Sequence, residues 1–430
     1  MIAFLFWLSL FLLVYPLFLY PLILELAVRM KYGKENAGND DDGSGAGRGK
    51  GFAGSGEDGV PHRAVSMLLS VYNEKEGNGE KIDKFLELEY QAERLELSVV
   101  CDGSDDGTDE LAGEHVARRG CASRVTLLRQ ETRQGKNAAL NLAAGRASGE
   151  LLLFTDADSM LAPDSLALLA RHFSDPDVGL ASGRSVYVDA RGRETAGSLY
   201  RRYEEWLKQR EGRLFGIPGA DGALYLMRRN MYSPLPREYI NDLLHPVQVA
   251  LAGAKAVAEP AAKVRERDGE AGPKQEFARQ TRIMAQSWLV FLRHSGSILR
   301  EKRYGFFWQL ASHKFLRWLT LPLVAALLPG AILLSGTVPF ACLAGAVLFA
   351  IFARLGYAGS GGTPGRVAWL FGLPSAASVT GLIRRRQGRQ YGPWQPSVQY
   401  SCRAQFSNNR GFWTPVSAAL PTTPRGGPPR

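Results

Sequence analysis

The runs AVSMLLS (64–70), LSVVC (97–101), RVTLL (124–128) and ELLLFT (150–155) decide how the centre of this chain is read. Each is short and apolar, with the make-up of a strand buried in a sheet. Stretches of helical character fall around 80–95, 107–119, 136–147 and 163–173. Strands alternating with helices at this spacing predict an α/β fold, a parallel sheet wrapped by helices. In such sheets ligands sit beyond the carboxyl ends of the strands, so the residues following each run carry the functional reading.

Those residues are acidic. The first strand ends in SVYNEKE (70–76), the second in DGSDDGT (102–108) and the fourth in TDADS (155–159). Three acidic turns on one sheet edge repel nucleic acid and attract a divalent cation. Residues i and i+2 of an extended segment point the same way, so Asp156 and Asp158 can approach one ion together. Mg²⁺ takes one or two protein carboxylates and completes its shell with water and substrate phosphates. The competing reading of Asp156 is a helix cap or turn residue. Asp106 is assigned that bland role, capping the next helix, whereas Asp102, directly after its strand, is placed to accept a hydrogen bond from a ligand. Gly135-Lys136-Asn137 opens a helix and can offer backbone N–H groups and an ammonium to phosphate; a solvated surface lysine is the equal alternative.

The composition, 45% hydrophobic and 22% charged over 430 residues, hides a division. Ile2 to Leu24 carry no charge, and a second uncharged run extends from Leu319 to Ala353. About 20 apolar residues suffice for a helix to cross a bilayer core. The first run lacks a basic start and a small-residue cleavage pattern, so it is expected to remain as an anchor. The net charge of +10 resides largely beside the apolar runs, at Arg29, Lys31 and Lys34, at Arg293 to Arg317 and at Arg384 to Arg386. That distribution fits membrane lipid headgroups and a cytoplasmic face, and no nucleic-acid partner is expected. An even number of C-terminal spans keeps the catalytic region and Arg384–Arg386 on the same side; spans at about 317–335 and 337–356 satisfy this, with 367–383 interfacial or re-entrant. Expected domains are an anchor (1–30), a Gly-rich linker (31–63), a catalytic domain (64–310), a membrane region (311–383) and a basic polar tail (384–430). GSGAGRGK within the linker fails as a phosphate loop, because Ser44 and Gly51 occupy positions that require Gly and Ser/Thr. Cys101, Cys121, Cys342 and Cys402 form no CxxC pair and are read as reduced thiols.

Several further motifs keep a common order: GKNAALN (135–141), YE (203–204), GADGALYLMRR (219–229), IND (240–242), RQTRI (279–283) and WQP (394–396). With YNE at 72–74 and the acidic turns, the chain resembles the membrane-embedded branch of the family-2 glycosyltransferases, which includes cellulose, chitin, hyaluronan and poly-N-acetylglucosamine synthases. The resemblance runs from about residue 64 to 400 and implies a GT-A, Rossmann-like nucleotide-sugar domain with one N-terminal and two or three C-terminal transmembrane helices. It also implies inverting transfer of a hexose or N-acetylhexosamine from a UDP-sugar donor to a saccharide or lipid-linked acceptor at the cytoplasmic membrane face, with room for accessory export subunits. By position, Tyr72, Asn73, Glu74 and Asp102 match nucleotide-holding residues, and Lys136 lies near the diphosphate. Asp158, with Asp156 beside it, matches the site of Mg²⁺ or Mn²⁺. Asp242 matches the catalytic base, and Arg282 the arginine of QxxRW. Two positions depart from the pattern: Asn241 stands for an acidic residue, and Ile283 for the Trp that cradles an acceptor sugar. Polysaccharide synthesis is the role the resemblance implies; the second departure supports the alternative, a non-processive transferase adding one sugar to a polyprenyl phosphate or glycolipid, and the multiple C-terminal apolar runs argue the other way. A sensor that binds nucleotide sugar without turnover is the reading of another class, and the four aspartates together disfavour it. The histidines match no metal spacing, and polar surface or interfacial positions are expected for His245, His294 and His313.

Overall fold

The computed structural model describes residues 1–33, 63–75, 77–188, 199–267, 273–358, 360 and 362–387. Most of the expected linker, the WQP motif and nearly all of the polar tail lie outside the described residues.

Eight strands form one mixed sheet: β1 (Val65–Val71), β2 (Leu95–Asp102), β3 (Val125–Gln130), β4 (Leu151–Thr155), β5 (Met160–Leu161), β6 (Val178–Val188), β7 (Leu224–Arg228) and β8 (Lys255–Arg267), in the order β3-β2-β1-β4-β7-β6-β8-β5. The first four expected strands are present, and β3-β2-β1-β4 is the expected parallel half. Side chains alternate between faces along a strand. Met67, Leu69 and Val71 of β1 therefore pack with Ile82, Phe85 and Phe173 on one face, while Leu68 joins Val100, Phe154 and the alanines of helix Lys136–Arg146 on the other.

The region 184–290, whose periodicity reads as mostly helical, contains β7, β8 and the end of β6. These strands hide because they break the alternation: β6 carries Gly183 and Arg184 at a register shift, and β8 carries Pro260 among lysines and arginines. They also set the geometry of the site. β7 runs antiparallel to β4 and β6, with Thr155 opposite Leu224, so its leading loop reaches the edge where β4 ends. β8 is parallel to β6 and delivers its own carboxyl end to that edge.

Among the described residues, two helices are long and apolar enough to cross a membrane, Ile2–Tyr32 and Thr337–Tyr357. The expected span at 317–335 is instead broken: Tyr304–Trp318 and Thr320–Leu333 meet at 65°. The 14-residue second piece reaches only about 21 Å at 1.5 Å per residue, short of a bilayer core of about 30 Å. Gly330 of this piece lies against the N-terminal helix, where an added Cβ would stand 2.5 Å from Cβ of Phe6. Small residues permit such close helix approach in lipid. Gly330→Val is accordingly expected to separate the two helices and lower the thermal midpoint of the detergent-solubilised protein, while Gly345→Val, where a Cβ meets open space, leaves it unchanged.

Candidate active site

A cavity of about 1370 Å³ opens at the carboxyl edge of the sheet. Tyr72, Glu74, Asp102, Lys136, Asp156, Asp158, Asp242, Arg282 and Ile283 all line it. Asp158 and Asp242, 84 residues apart in sequence number, thus face one space. Asn73 does not line it. Its backbone adopts φ +53°, and its side chain bridges to the second acidic turn, donating to Asp105 Oδ1 at 2.9 Å and accepting from the Asp105 N–H at 3.2 Å. It braces two loops against each other.

Asp102 is buried, and its two carboxylate oxygens accept the N–H groups of Gln134 (2.6 Å) and Gly135 (2.7 Å). It therefore shapes the loop that leads into helix Lys136–Arg146, whose amino end is aimed at the cavity. Tyr72 is covered on one face by the guanidinium of Arg133, 3.6 Å from the ring centroid. Asp106 forms the Asx turn read from the sequence, accepting the N–H of Thr108 at 3.0 Å just ahead of helix Thr108–Arg119, while Gly107 takes the cap position.

The acidic end of the cavity holds more negative charge than its cations offset. Lys136 is ion-paired with Asp156, and this contact outweighs burial in holding its ammonium above the usual range. Asp158 is pushed up, by burial first and then by Asp156. Burial, with Asp158 and Asp106, raises Glu74 to about 7. Burial, with Asp221 and Asp156, raises Glu266 of β8 to about 7. Groups that repel one another this way invite a cation. Among the described residues no three His, Cys, Asp or Glu side chains are grouped as metal ligands. Asp156 and Asp158, which both line the cavity, are hard oxygen donors of the kind that Mg²⁺ takes together with phosphate and water.

Asp242 occupies the first turn of helix Asn241–Leu251 with Oδ2 facing Gly222. A helix amino end and the nearby Lys136, Lys314 and Lys208 favour its charged form, yet burial wins and raises it to about 6. Asn241, where an acid is common in the synthases it resembles, donates from Nδ2 to Tyr225 Oη at 2.7 Å, and that hydroxyl contacts His245 Nδ1 at 2.9 Å. This chain of contacts is buried, so His245 belongs to the core rather than to the expected surface; burial, then Lys136, lowers it to about 3. His313 is also buried, with Nδ1 2.8 Å from Glu211 and Nε2 2.9 Å from Glu204, and Glu204 of the YE motif lines the cavity. Burial raises Glu204, but His313 and Arg317 outweigh it and hold the carboxyl well below the usual range. Tyr20 of the N-terminal helix donates to Glu211 at 2.5 Å, so these contacts join that apolar helix to the cavity wall. Arg385, grouped in the sequence with headgroup-binding residues, also lines the cavity.

Sequence reasoning passed over Glu266, Asp221, Arg133 and Lys81. Asp221 stood inside a quoted motif; it accepts the Ser185 N–H at 2.7 Å and the Ser185 hydroxyl at 2.8 Å. Glu266 was hidden because β8 was not legible as a strand.

Residues 66–234 match the family model for glycosyl transferase family 2. Among curated relatives, the glycosyltransferase AglE of Haloferax volcanii is 28% identical over 142 residues, which is 33% of this chain and 44% of that one. The poly-beta-1,6-N-acetyl-D-glucosamine synthase of Staphylococcus aureus is 32% identical over 120 residues, 28% of each chain. The chain thus spans less than half the length of these relatives. Among solved structures, the mannosyltransferase PcManGT from Pyrobaculum calidifontis, in complex with GDP-Man and Mn²⁺, superposes with a TM-score of 0.63 at 22% identity, covering 88% of this chain and 98% of that one. Residues 66–234 are thus similar to a family-2 glycosyltransferase domain, and the chain has the GT-A fold.

Proposed function

We propose that the protein is an inverting hexosyltransferase that moves a sugar from a nucleoside-diphosphate donor, of the UDP-sugar class, to a saccharide or lipid-linked acceptor at a membrane. The observation that carries this reading is the shared cavity of Asp158 and Asp242. Tyr72, Glu74 and the loop shaped by Asp102 hold the nucleotide, and Lys136 with the adjoining helix end meets the diphosphate. Asp156 and Asp158 would hold Mg²⁺ or Mn²⁺, which when bound would neutralise negative charge on the diphosphate. Arg282, which lines the same cavity and donates to Gln286 at 3.5 Å, assists there. Asp242 accepts the proton of the acceptor hydroxyl as its oxygen bonds to the anomeric carbon and the bond to diphosphate breaks.

Ile283 lines the cavity at the position where the processive synthases have an aromatic residue, which favours single addition over polymerisation. Product length on radiolabelled donor tests this: mono-adducts are expected, and a polymer ladder refutes it. The anchor Ile2–Tyr32 and the helices of 304–357 are read as a multi-pass membrane region, with the basic residues flanking them on the cytosolic side together with the catalytic domain.

The base must be ionised to act. With Asp242 at about 6, kcat/KM at saturating metal is expected to fall about tenfold per pH unit below that value and to level off above it. A pH–rate profile flat from 5 to 8 contradicts the assignment.

A further inference from the structure

Lys81 has no part in the mechanism just given, and its setting is unusual. It lies on helix Asn78–Leu86, beneath the turn that follows β4, with 0% of its surface exposed. Lysine is almost never buried so completely, because removing an ammonium from water is costly unless it is well partnered. Here Nζ donates to Thr155 Oγ1 at 2.9 Å, to the Asp156 carbonyl at 2.8 Å and to the Ser159 carbonyl, with Ser159 Oγ at 3.4 Å. Its direct partners are hydroxyls and carbonyls of residues 155–159; the carboxylate of Asp156 is taken by Lys136. The two lysines divide the turn between them, Lys136 holding a side chain at the cavity wall and Lys81 holding the backbone from within.

We infer that Lys81 is a positioning residue, which pins the backbone of residues 155–159 so that Asp156 and Asp158 present their carboxylates together to the divalent cation. The inference rests on the proposed role of those aspartates. Two opposed effects follow from removing it. Loss of a nearby positive charge favours cation binding, whereas loss of the pin takes the ammonium donor from two carbonyls and two hydroxyls, leaving the Asp156 carbonyl to its bonds from within the turn, and frees the turn. The direct hydrogen bonds outweigh the through-space repulsion, because a charge bonded to the backbone acts on position whereas its field is shared by several carboxylates.

The test is equilibrium binding of UDP, titrated calorimetrically with saturating Mn²⁺ and again with EDTA, for wild type and Lys81→Met in the full-length protein. Mn²⁺ is expected to tighten UDP binding in wild type, and Lys81→Met is expected to lose about 10–100-fold of that tightening with metal-free UDP affinity unchanged, the range seen when support of metal ligands is removed. A lysine of general structural importance would instead weaken both measurements in parallel, which overturns the inference. An unchanged or larger Mn²⁺ effect in Lys81→Met overturns it too. Ser159→Ala, which removes one acceptor of the ammonium and the 2.8 Å bond from Ser159 Oγ to the Asp156 carbonyl, is expected to lose a smaller part of the same tightening, and it carries the test if Lys81→Met does not fold. Absence of any Mn²⁺ effect in wild type is a different failure: it refutes the cation role of Asp156 and Asp158 and removes the inference with it.

Discussion

Replacing Asp242 with Asn is expected to abolish most turnover, by about 10²–10⁴-fold, while nucleotide affinity stays as in wild type. The change preserves shape and removes the carboxylate proposed to take a proton from an acceptor. Asp242 is separated in role from the residues that hold the leaving nucleotide, so the loss belongs to kcat. The same substitution carries a stability signature. Burial raises this carboxyl from 3.8 to about 6, so the native state binds the proton more tightly than the unfolded chain does. The stabilising contribution is complete below pH 4 and is lost as pH rises through about 6. At pH 8 wild type bears a cost of about 3 kcal/mol for keeping an ionised carboxylate there, a cost that asparagine avoids. Asp242→Asn should therefore melt higher than wild type at pH 8 and close to wild type at pH 4. An inactive variant that is also less stable at pH 8 points to structural damage instead.

Asp158→Asn is the second large effect. Asp156 is already engaged by Lys136, so Asp158 supplies the carboxylate less committed to another partner. Neutralising it should lower kcat/KM by at least about 10²-fold, in keeping with the several kcal/mol of charge stabilisation that a bound cation supplies at a leaving diphosphate. Raising Mn²⁺ should recover part of the loss, because the variant retains Asp156. Metal-free UDP binding should improve slightly, since one source of repulsion near Glu74 has gone. A variant whose dependence on Mn²⁺ matches that of wild type contradicts the role given to Asp158.

The parallel half of the sheet was legible because β1, β2, β3 and β4 are short apolar runs bounded by polar turns, and chemistry at their ends is local in sequence. Asp156 and Asp158 do line one cavity, but from a turn after β4 and not from the extended segment whose alternation the sequence suggested. The antiparallel insertion was not legible. β7, β6 and β8 owe their pairing to contacts across the sheet, and Gly183 and Pro260 erase the alternation that would announce them. Asp221 and Glu266 reach the site through that insertion, so no local pattern marked them as its members. Asn73 illustrates the opposite case: its motif was plain, but only the fold shows that its amide is spent on Asp105. The break at Leu319 was also invisible, since hydropathy records apolar length and not direction. His245 and His313 were misplaced because burial of a histidine depends on partners distant in sequence, Tyr225 for one and Glu204 with Glu211 for the other.

The central claim is a division of labour within one cavity, with a cation at Asp156 and Asp158 serving the leaving nucleotide and Asp242 serving the incoming hydroxyl. It is tested most directly by the rate of UDP release from a UDP-hexose donor, followed across a Mn²⁺ titration in wild type, Asp158→Asn and Asp242→Asn. The account predicts a wild-type rate that vanishes in EDTA, an Asp158→Asn rate partly restored by excess Mn²⁺, and an Asp242→Asn rate that no Mn²⁺ concentration restores. Full wild-type turnover in EDTA, or an Asp242→Asn enzyme as fast as wild type, contradicts it.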